Sequence, residues 1–502
     1  MSRIKFSYPI IFILSFAFFA KVSLLRLVAG DEGFYVLASK LVSNGNYPYL
    51  DFFYPQMPLL PYVYAIGNWI FYPLAKLLSS SQGSLIWESS RLFSSFLAAI
   101  LSTLLFYRLN SRYGIYWAVF GTFIFNSSTL TFAWFVTSKT FTLSTLLLFS
   151  TYLLTTSKLE NKNKYLIAGV LFGLSVDVRF FFIGLMPLFL LGKKKSEIIG
   201  FISGTLIALL PVFYLAFKDF EVFWFNNLGY HMIRSSRNFE SALQAKITIA
   251  RIVTGLRDTQ QFSGFQFPFF IWICILSATI CFIKKEIPTL ALLIIALLFA
   301  INITPTPSYV QYFCTLMPFL IIETIAFLKL FSDSIITEHK YFKNYFLVLI
   351  VLIISFFHLS ATKKDLISYT KSGKGVIGVG INEASDKTLV ALKSIAKAID
   401  HISLPGQEVL AEWPGYLVDS HAISTPGLEN HFGWKIGNKI NKKERRKYKI
   451  ISRNEIRKLI LTGTPPVVLL ERKSFDRNYK NDLKGYELIN EIHNVLLFKK
   501  IT

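Results

Sequence analysis

Apolar residues in this 502-residue chain come in blocks of roughly 17–25, repeated from near residue 8 to near residue 361. A helix of about 20 apolar residues rises about 30 Å, enough to cross a hydrocarbon layer. Backbone N–H and C=O groups find no water inside such a layer, so segments of this kind must satisfy their own hydrogen bonds as helices. The pattern predicts an α-helical polytopic membrane protein. Composition agrees, with 53% hydrophobic and only 17% charged residues, against about 25% charged in soluble domains. Aromatic residues reach 16%, including 49 Phe, which suits lipid-facing helices and interfacial belts.

Eleven spans are expected, near 8–28, 86–107, 113–131, 138–156, 164–176, 180–192, 197–217, 267–283, 287–303, 310–331 and 344–361. Alternate short loops are basic. They carry Arg3 and Lys5, Arg108 and Arg112, Lys158, Lys162 and Lys164, Lys193 to Lys195, Lys284 and Lys285, and Lys340 and Lys343. By the positive-inside rule these loops and the N-terminus are cytoplasmic. The loops 29–85 and 218–266 and the region 362–502 then lie outside, in a plasma (inner) membrane of prokaryotic type. This count requires the stretch 164–193 to be two short helices meeting at Asp177-Val178-Arg179, which spares a charged pair the cost of full insertion.

The outer segments are not plain linkers. Pro61–Leu78 (PYVYAIGNWIFYPLAKLL) is an amphipathic aromatic stretch suited to the interface. Residues 362–502 turn mixed-polar, with a helix expected at 386–400 and strands near 407–411, 466–471 and 494–499. That is a small α/β domain following a transmembrane module of 1–361. The net charge of +23 reflects basic loops and this C-terminal region, and no nucleic-acid motif accompanies it. The basic run 441–449 (NKKERRKYK) reads as a solvated face. Cys274, Cys281 and Cys314 all fall in apolar blocks and read as small core residues.

Chemistry is concentrated after the first span, at Asp31-Glu32 in GDEGFYVLASKL. Two carboxylates at the water edge of a membrane suit a reaction on a lipid-borne substrate. The competing reading of Asp31 is a helix N-cap. The stretch DEGFYVLASKLVSNGNYPYLDFFYPQMPLLPYVYA (31–65) resembles the first outer loop of the GT-C glycosyltransferases. Within these it is most similar to the branch of dolichyl-phosphate-mannose protein mannosyltransferases and lipid A aminoarabinose transferases. Arg91 opening the second span, AGVLFGLSVDVRF (168–180), PSYVQYFCTLMPFL (307–320) and the soluble C-terminal domain fit the same layout.

The resemblance implies transfer of a sugar, with inversion, from a polyprenyl-phosphate carrier to an acceptor on the outer face. That acceptor would be a glycolipid, lipopolysaccharide, wall polymer or protein. It makes Asp31 the general base and Glu32 a second acid orienting the acceptor or Asp31. Substrate-contacting candidates are Asp51, Tyr35, His231, Tyr309 and Tyr312. The aminoarabinose branch has a basic residue where this chain has Gln56, so the cation facing the donor phosphate must come from elsewhere. Arg179 is the first candidate, because an arginine fork holds phosphate oxygens well. Arg91 and Arg234 follow, with Lys139 and Arg237 as further options. The outer-loop acids are too scattered to argue a metal site, so no metal and no cofactor is predicted and the lipid-linked sugar is a substrate. The partners are then the carrier, membrane lipids and the acceptor. A transporter or flippase of lipid-linked saccharides, or an O-antigen-type polymerase, is the alternative. A flippase would place its polar groups at the bilayer midplane and show repeats.

Overall fold

The computed structural model describes residues 7–79, 83–158, 161, 163–235, 239–257, 266–334, 340–376, 379 and 385–501. The chain resolves into two compact units. One comprises 1–23, 94–209 and 237–370, the other 24–93, 210–236 and 371–502.

The first unit is helical. Among the described residues, four helices of the chain are long and apolar enough to cross a membrane: Ser7–Leu25, Ile86–Tyr113, Gln266–Lys284 and Val310–Ser334. The pair Lys195–Ala208 and Leu210–Lys218, bent by 47°, makes a fifth if taken as one span. The other expected spans take the form of shorter helices or of the long Lys340–Ile367 helix. Ile115–Ser127 and Leu290–Ile303, at 13 and 14 residues, rise only about 20 Å. Ser128 explains one interruption: its extended backbone (φ −67°, ψ 135°) separates Ile115–Ser127 from Thr129–Trp134. The expected break at Asp177-Val178-Arg179 is present. The Lys164–Val178 helix ends there, Arg179 is extended, and a 3₁₀ turn follows over Phe180–Leu185.

Close helix packing in this unit uses small residues. A Cβ on Gly173 would stand 2.7 Å from the carbonyl oxygen of Thr205, and one on Gly204 would lie 2.8 Å from the amide nitrogen of Val170. Thr205 donates its hydroxyl to Gly169 O at 3.2 Å. Backbones this near admit only glycine, the small-xxx-small logic of membrane helices. A buried polar knot joins other helices: Gln266 donates to His358 O (2.8 Å) and accepts from Thr129 N (2.9 Å), and Thr129 donates to Asp365 (2.6 Å).

The second unit is built on a five-stranded sheet in the order β2-β1-β3-β5-β4. The strands are β1 Glu408–Ala411, β2 Ile423–Ser424, β3 Val467–Glu471, β4 Tyr486–Ile492 and β5 Val495–Lys500. β1 runs parallel to β2 and β3, while β5 is antiparallel to both β3 and β4. Both faces of the central strands are covered. Val409, Val467, Leu469, Val495 and Leu497 face one core, and Leu410, Val468, Leu470, Leu496 and Phe498 face the other. This is why VVLLE and VLLF read as unbroken apolar runs. The expected helix appears as Leu389–Ile402 and covers the first core. Val28, Val36, Leu37 and Trp87 enter the same core. The segment after the first span thus folds with the C-terminal sheet, so the unit does not follow the linear division at 361.

Candidate active site

Asp31 occupies the N-cap position of the Glu32–Ser43 helix, yet its side chain makes no capping hydrogen bond. It is half-buried, whereas Glu32 is wholly buried. Arg91 grips Glu32 side-on, Nε to Oε1 at 2.9 Å and Nη2 to Oε2 at 2.8 Å. Arg91 also donates to the carbonyls of Arg26 (2.5 Å) and Leu27 (3.4 Å). Arg26 lies 3.9 Å from Glu32 and donates to Leu27 O at 2.7 Å. Ala29 N–H completes the clip to Glu32 Oε2 at 3.4 Å. A buried carboxylate survives only when paired and hydrogen-bonded. Here that requirement pins the loop 26–31 that presents Asp31.

The C-terminal part closes on the same loop. Trp413 Nε1 donates to Gly30 O at 2.6 Å, Val28 N–H to Lys387 O at 2.7 Å, and Trp87 Nε1 to Gly415 O at 3.2 Å. Lys40 donates to Leu417 O (2.9 Å) and Ser420 O (2.5 Å), and burial lowers its pKa despite Asp419 and Asp400 nearby. Gly33 permits the approach: a Cβ there would stand 2.8 Å from Gly415 Cα. Lys387 rests over Trp413 (4.0 Å from the ring centre) and pairs with Glu471 at 3.0 Å. Burial opposes ionisation of Glu471, but Lys387 and the Tyr416 hydroxyl hold its carboxyl below the usual range.

The other candidates fall in two places. In the Asp31 unit, Tyr35 is buried, with its ring centre 4.0 Å from that of Phe34 and, edge-on, 6.3 Å from that of Tyr54. Asp51 accepts from Tyr47 N–H at 2.7 Å, a local turn bond. His231 bonds Pro55 O at 3.2 Å, and burial lowers its pKa to about 4, so the ring is neutral. Arg234 lies over Phe432 at 4.8 Å. Gln56 sits in the same loop and uses its carbonyl to accept from the Tyr49 hydroxyl at 2.6 Å.

In the helical unit, Arg179 lies over Phe141 (5.1 Å), Tyr312 (5.4 Å) and Phe182 (5.5 Å). Lys139, 1% exposed, approaches the same Phe141 ring at 5.2 Å and Trp134 at 5.0 Å. Tyr309 meets Tyr312 edge-on at 5.6 Å. Arg237 lies outside the described residues. No group of three or more His, Cys, Asp or Glu side chains placed to hold a metal occurs among the described residues.

No family model matches the chain, and no curated protein matches it in sequence. Among solved structures it matches ArnT from Cupriavidus metallidurans bound to undecaprenyl phosphate, with a TM-score of 0.62 at 10% identity over 99% of this chain and 98% of that one. The chain shares its fold with ArnT. The apo state of ArnT gives 0.59 at 11% identity over the same shares of both chains. An Archaeoglobus fulgidus oligosaccharyltransferase tethered with an acceptor peptide gives 0.49 at 12% identity, covering 99% of this chain and 74% of that one. The likeness to ArnT is one of fold, and a fold of this kind is what the resemblance of the first outer loop implied.

Sequence reading missed one group of residues near Asp31. His431, Phe432 and Lys435, from the Asn-His-Phe-Gly-Trp-Lys stretch, approach the start of the Glu32–Ser43 helix. Phe34 lies 5.6 Å from Phe432 and 6.1 Å from His431. Their only signal in the sequence was an aromatic-basic cluster in an otherwise polar region.

Proposed function

We propose that this chain is an inverting glycosyltransferase that moves a sugar from a polyprenyl-phosphate carrier to an acceptor hydroxyl on the outer face of a plasma membrane. The acceptor oxygen attacks the anomeric carbon, the bond from that carbon to the phosphate oxygen breaks, and the acceptor proton passes to the Asp31 carboxylate. The carrier phosphate leaves as an anion. General-base help of this kind is worth about 10²–10⁴-fold.

The observation that carries the reading is the placement of Asp31: a half-buried carboxylate at the start of the Glu32–Ser43 helix, on a loop clamped by Glu32 and Arg91. Glu32 and Arg91 have no exposed side-chain surface. We therefore assign them to positioning Asp31 rather than to touching acceptor or donor phosphate. Arg179, partly exposed and lying over Phe141 and Tyr312, is the cation we assign to the donor phosphate, and the buried Lys139 on the same Phe141 ring is assigned to its surroundings. Tyr309 and Tyr312 belong beside them, as lining for the carrier's first isoprene units. A protein of the same fold, ArnT, has been crystallised with undecaprenyl phosphate, which supports a carrier of this class.

The test is consumption of polyprenyl-phosphate-linked hexoses and pentoses by the purified protein in detergent. Asp31→Asn should lower kcat by about 10²–10⁴-fold with the melting temperature unchanged. A fully active Asp31→Asn protein would remove Asp31 as the base.

A further inference from the structure

Residues 26–31 join the Ser7–Leu25 helix to the Glu32–Ser43 helix without regular structure, so other parts of the chain must bond their backbone. Arg91 and Glu32 hold Arg26, Leu27 and Ala29. The C-terminal domain holds the other two residues before Asp31. Val28 N–H donates to Lys387 O at 2.7 Å, and Trp413 Nε1 donates to Gly30 O at 2.6 Å. The Gly30 bond bears directly on the proposed base. Gly30 C=O and Asp31 N–H belong to one planar peptide, so holding the carbonyl fixes the plane from which Asp31 departs. Glycine by itself restrains that plane little.

Trp413 is itself held. It lies two positions beyond Ala411, the end of β1, and Glu471 lies two positions beyond Leu469, the β3 residue paired with Ala411. Both therefore stand at the same end of the sheet. Lys387 ties them together. Its ammonium lies 4.0 Å from the Trp413 ring centre and donates to Glu471 Oε1 and to the Tyr416 hydroxyl, each at 3.0 Å. Tyr416 meets the Trp413 ring edge-on at 4.7 Å, and Trp87 stacks near it at 6.4 Å. Two glycines clear the way for the indole: a Cβ on Gly33 would stand 3.0 Å from its ring, and one on Gly415 2.3 Å. A phenylalanine would fill an apolar core as well. What tryptophan adds is a donor, and that donor goes to the carbonyl preceding Asp31.

We propose that Trp413 and Lys387 are positioning residues: through them the C-terminal domain fixes the Gly30–Asp31 peptide and so aims the Asp31 carboxylate at the acceptor hydroxyl. This deepens the glycosyl-transfer reading and rests on it for the role of Asp31. It gives the C-terminal domain a part in the chemical step, across 383 positions of sequence. A reacting group displaced by about 1 Å costs on the order of 10²-fold in rate. The loss falls on kcat, because neither residue holds substrate.

Trp413→Phe keeps an aromatic ring over Lys387 and removes the indole N–H. The probe is whichever polyprenyl-phosphate-linked hexose or pentose the full-length wild-type protein consumes. Its kcat should fall about tenfold to a hundredfold with KM unchanged. Trp272→Phe deletes an indole N–H that donates to Thr254 O at 2.9 Å elsewhere in the chain, and should leave kcat as it is. In an Asp31→Asn background, Trp413→Phe should lower the residual rate no further, because it acts through the carboxylate. A second measurement needs no activity. Hydrogen exchange in a peptide covering 26–31, read by mass spectrometry, should quicken about fivefold in Trp413→Phe, with wild-type rates in the body of the Glu32–Ser43 helix. Lys387→Met keeps the carbonyl bond to Val28 and unpins the ring. It should act in the same direction to a lesser degree, and it carries the test if Trp413→Phe does not fold. Unchanged kcat in both variants overturns the proposal, and so does an equal further loss in the Asp31→Asn background. Unchanged exchange in both variants overturns the hold on the loop. If exchange quickens but the wild-type protein consumes no polyprenyl-phosphate sugar, the transferase reading fails and the hold of Trp413 on the Asp31 loop stands.

Discussion

Arg91→Met isolates the clamp that holds the Asp31 loop. Methionine keeps most of the side-chain volume and removes the guanidinium. Glu32 then loses hydrogen bonds of 2.9 and 2.8 Å on its two oxygens while remaining wholly buried. Breaking a buried pair by removing one partner costs about 3–5 kcal/mol, because the remaining charge is left uncompensated. The carbonyl of Arg26 also loses its 2.5 Å donor, adding about 1–3 kcal/mol. Arg26, 3.9 Å from Glu32, offsets part of this by drawing nearer. The net expectation is about 3–5 kcal/mol, or roughly 10²–10⁴-fold in the unfolding equilibrium. A denaturing-detergent titration followed by tryptophan fluorescence reads it directly. Glu32→Gln should be destabilising in the same range, since it leaves Arg91 buried against a neutral amide. The double variant Glu32→Gln/Arg91→Met should be milder than the sum of the two, because no buried charge of the pair remains. Wild-type stability in Arg91→Met, or strict additivity in the double variant, would refute the clamp.

Other consequences are as specific. Gly33→Ala places a methyl 2.8 Å from Gly415 Cα and 3.0 Å from the Trp413 ring; it should cost about 1–3 kcal/mol by overpacking, visible as a lower melting temperature together with reduced turnover. Asp419 accepts from Ile86 N–H at 2.8 Å, and burial reinforced by Glu88 pushes its carboxyl from 3.8 to about 7. The folded chain therefore holds a proton that the unfolded chain has released, so stability is greatest below about pH 4 for this group and is lost as pH rises through about 7. Melting curves between pH 4.5 and 8 should show a slope of at most about 1.4 kcal/mol per pH unit from this residue, and Asp419→Asn should flatten it. Replacing Arg179 by Gln should raise the KM for the carrier-linked donor, and an unchanged KM would move the donor phosphate away from Phe141.

Much of the plan of the molecule is local and was readable along the chain. The apolar blocks had to become helices because backbone groups in hydrocarbon have no other partner. The charged turn at Asp177-Val178-Arg179 ended a helix where a continuous span would have been costly. Runs such as VVLLE marked strands buried on both faces. Asp31-Glu32 stood out through its place after the first apolar block. None of these inferences needed more than a window of residues and a solvent.

What tertiary structure decided is the division of labour within that pair. Glu32 and Arg91 are 59 positions apart, and only the fold brings them to hydrogen-bond distance with no exposed side-chain surface. Periodicity cannot distinguish a carboxylate that is locked away from its neighbour that is not. The same holds for the short helices, whose length depends on where Ser128 and Arg179 leave helical geometry. It holds most for Lys435, a lysine in the short aromatic-rich helix His431–Gly437 and one of 53 basic residues. Sequence fixes its charge, but its surroundings are set by the sheet. Because the Glu32–Ser43 helix and the Leu389–Ile402 helix bury their apolar faces against the same strands, the Asn-His-Phe-Gly-Trp-Lys stretch comes to lie by Asp31. Burial of a shared apolar face is non-local by nature, and it selected the neighbours of the proposed base.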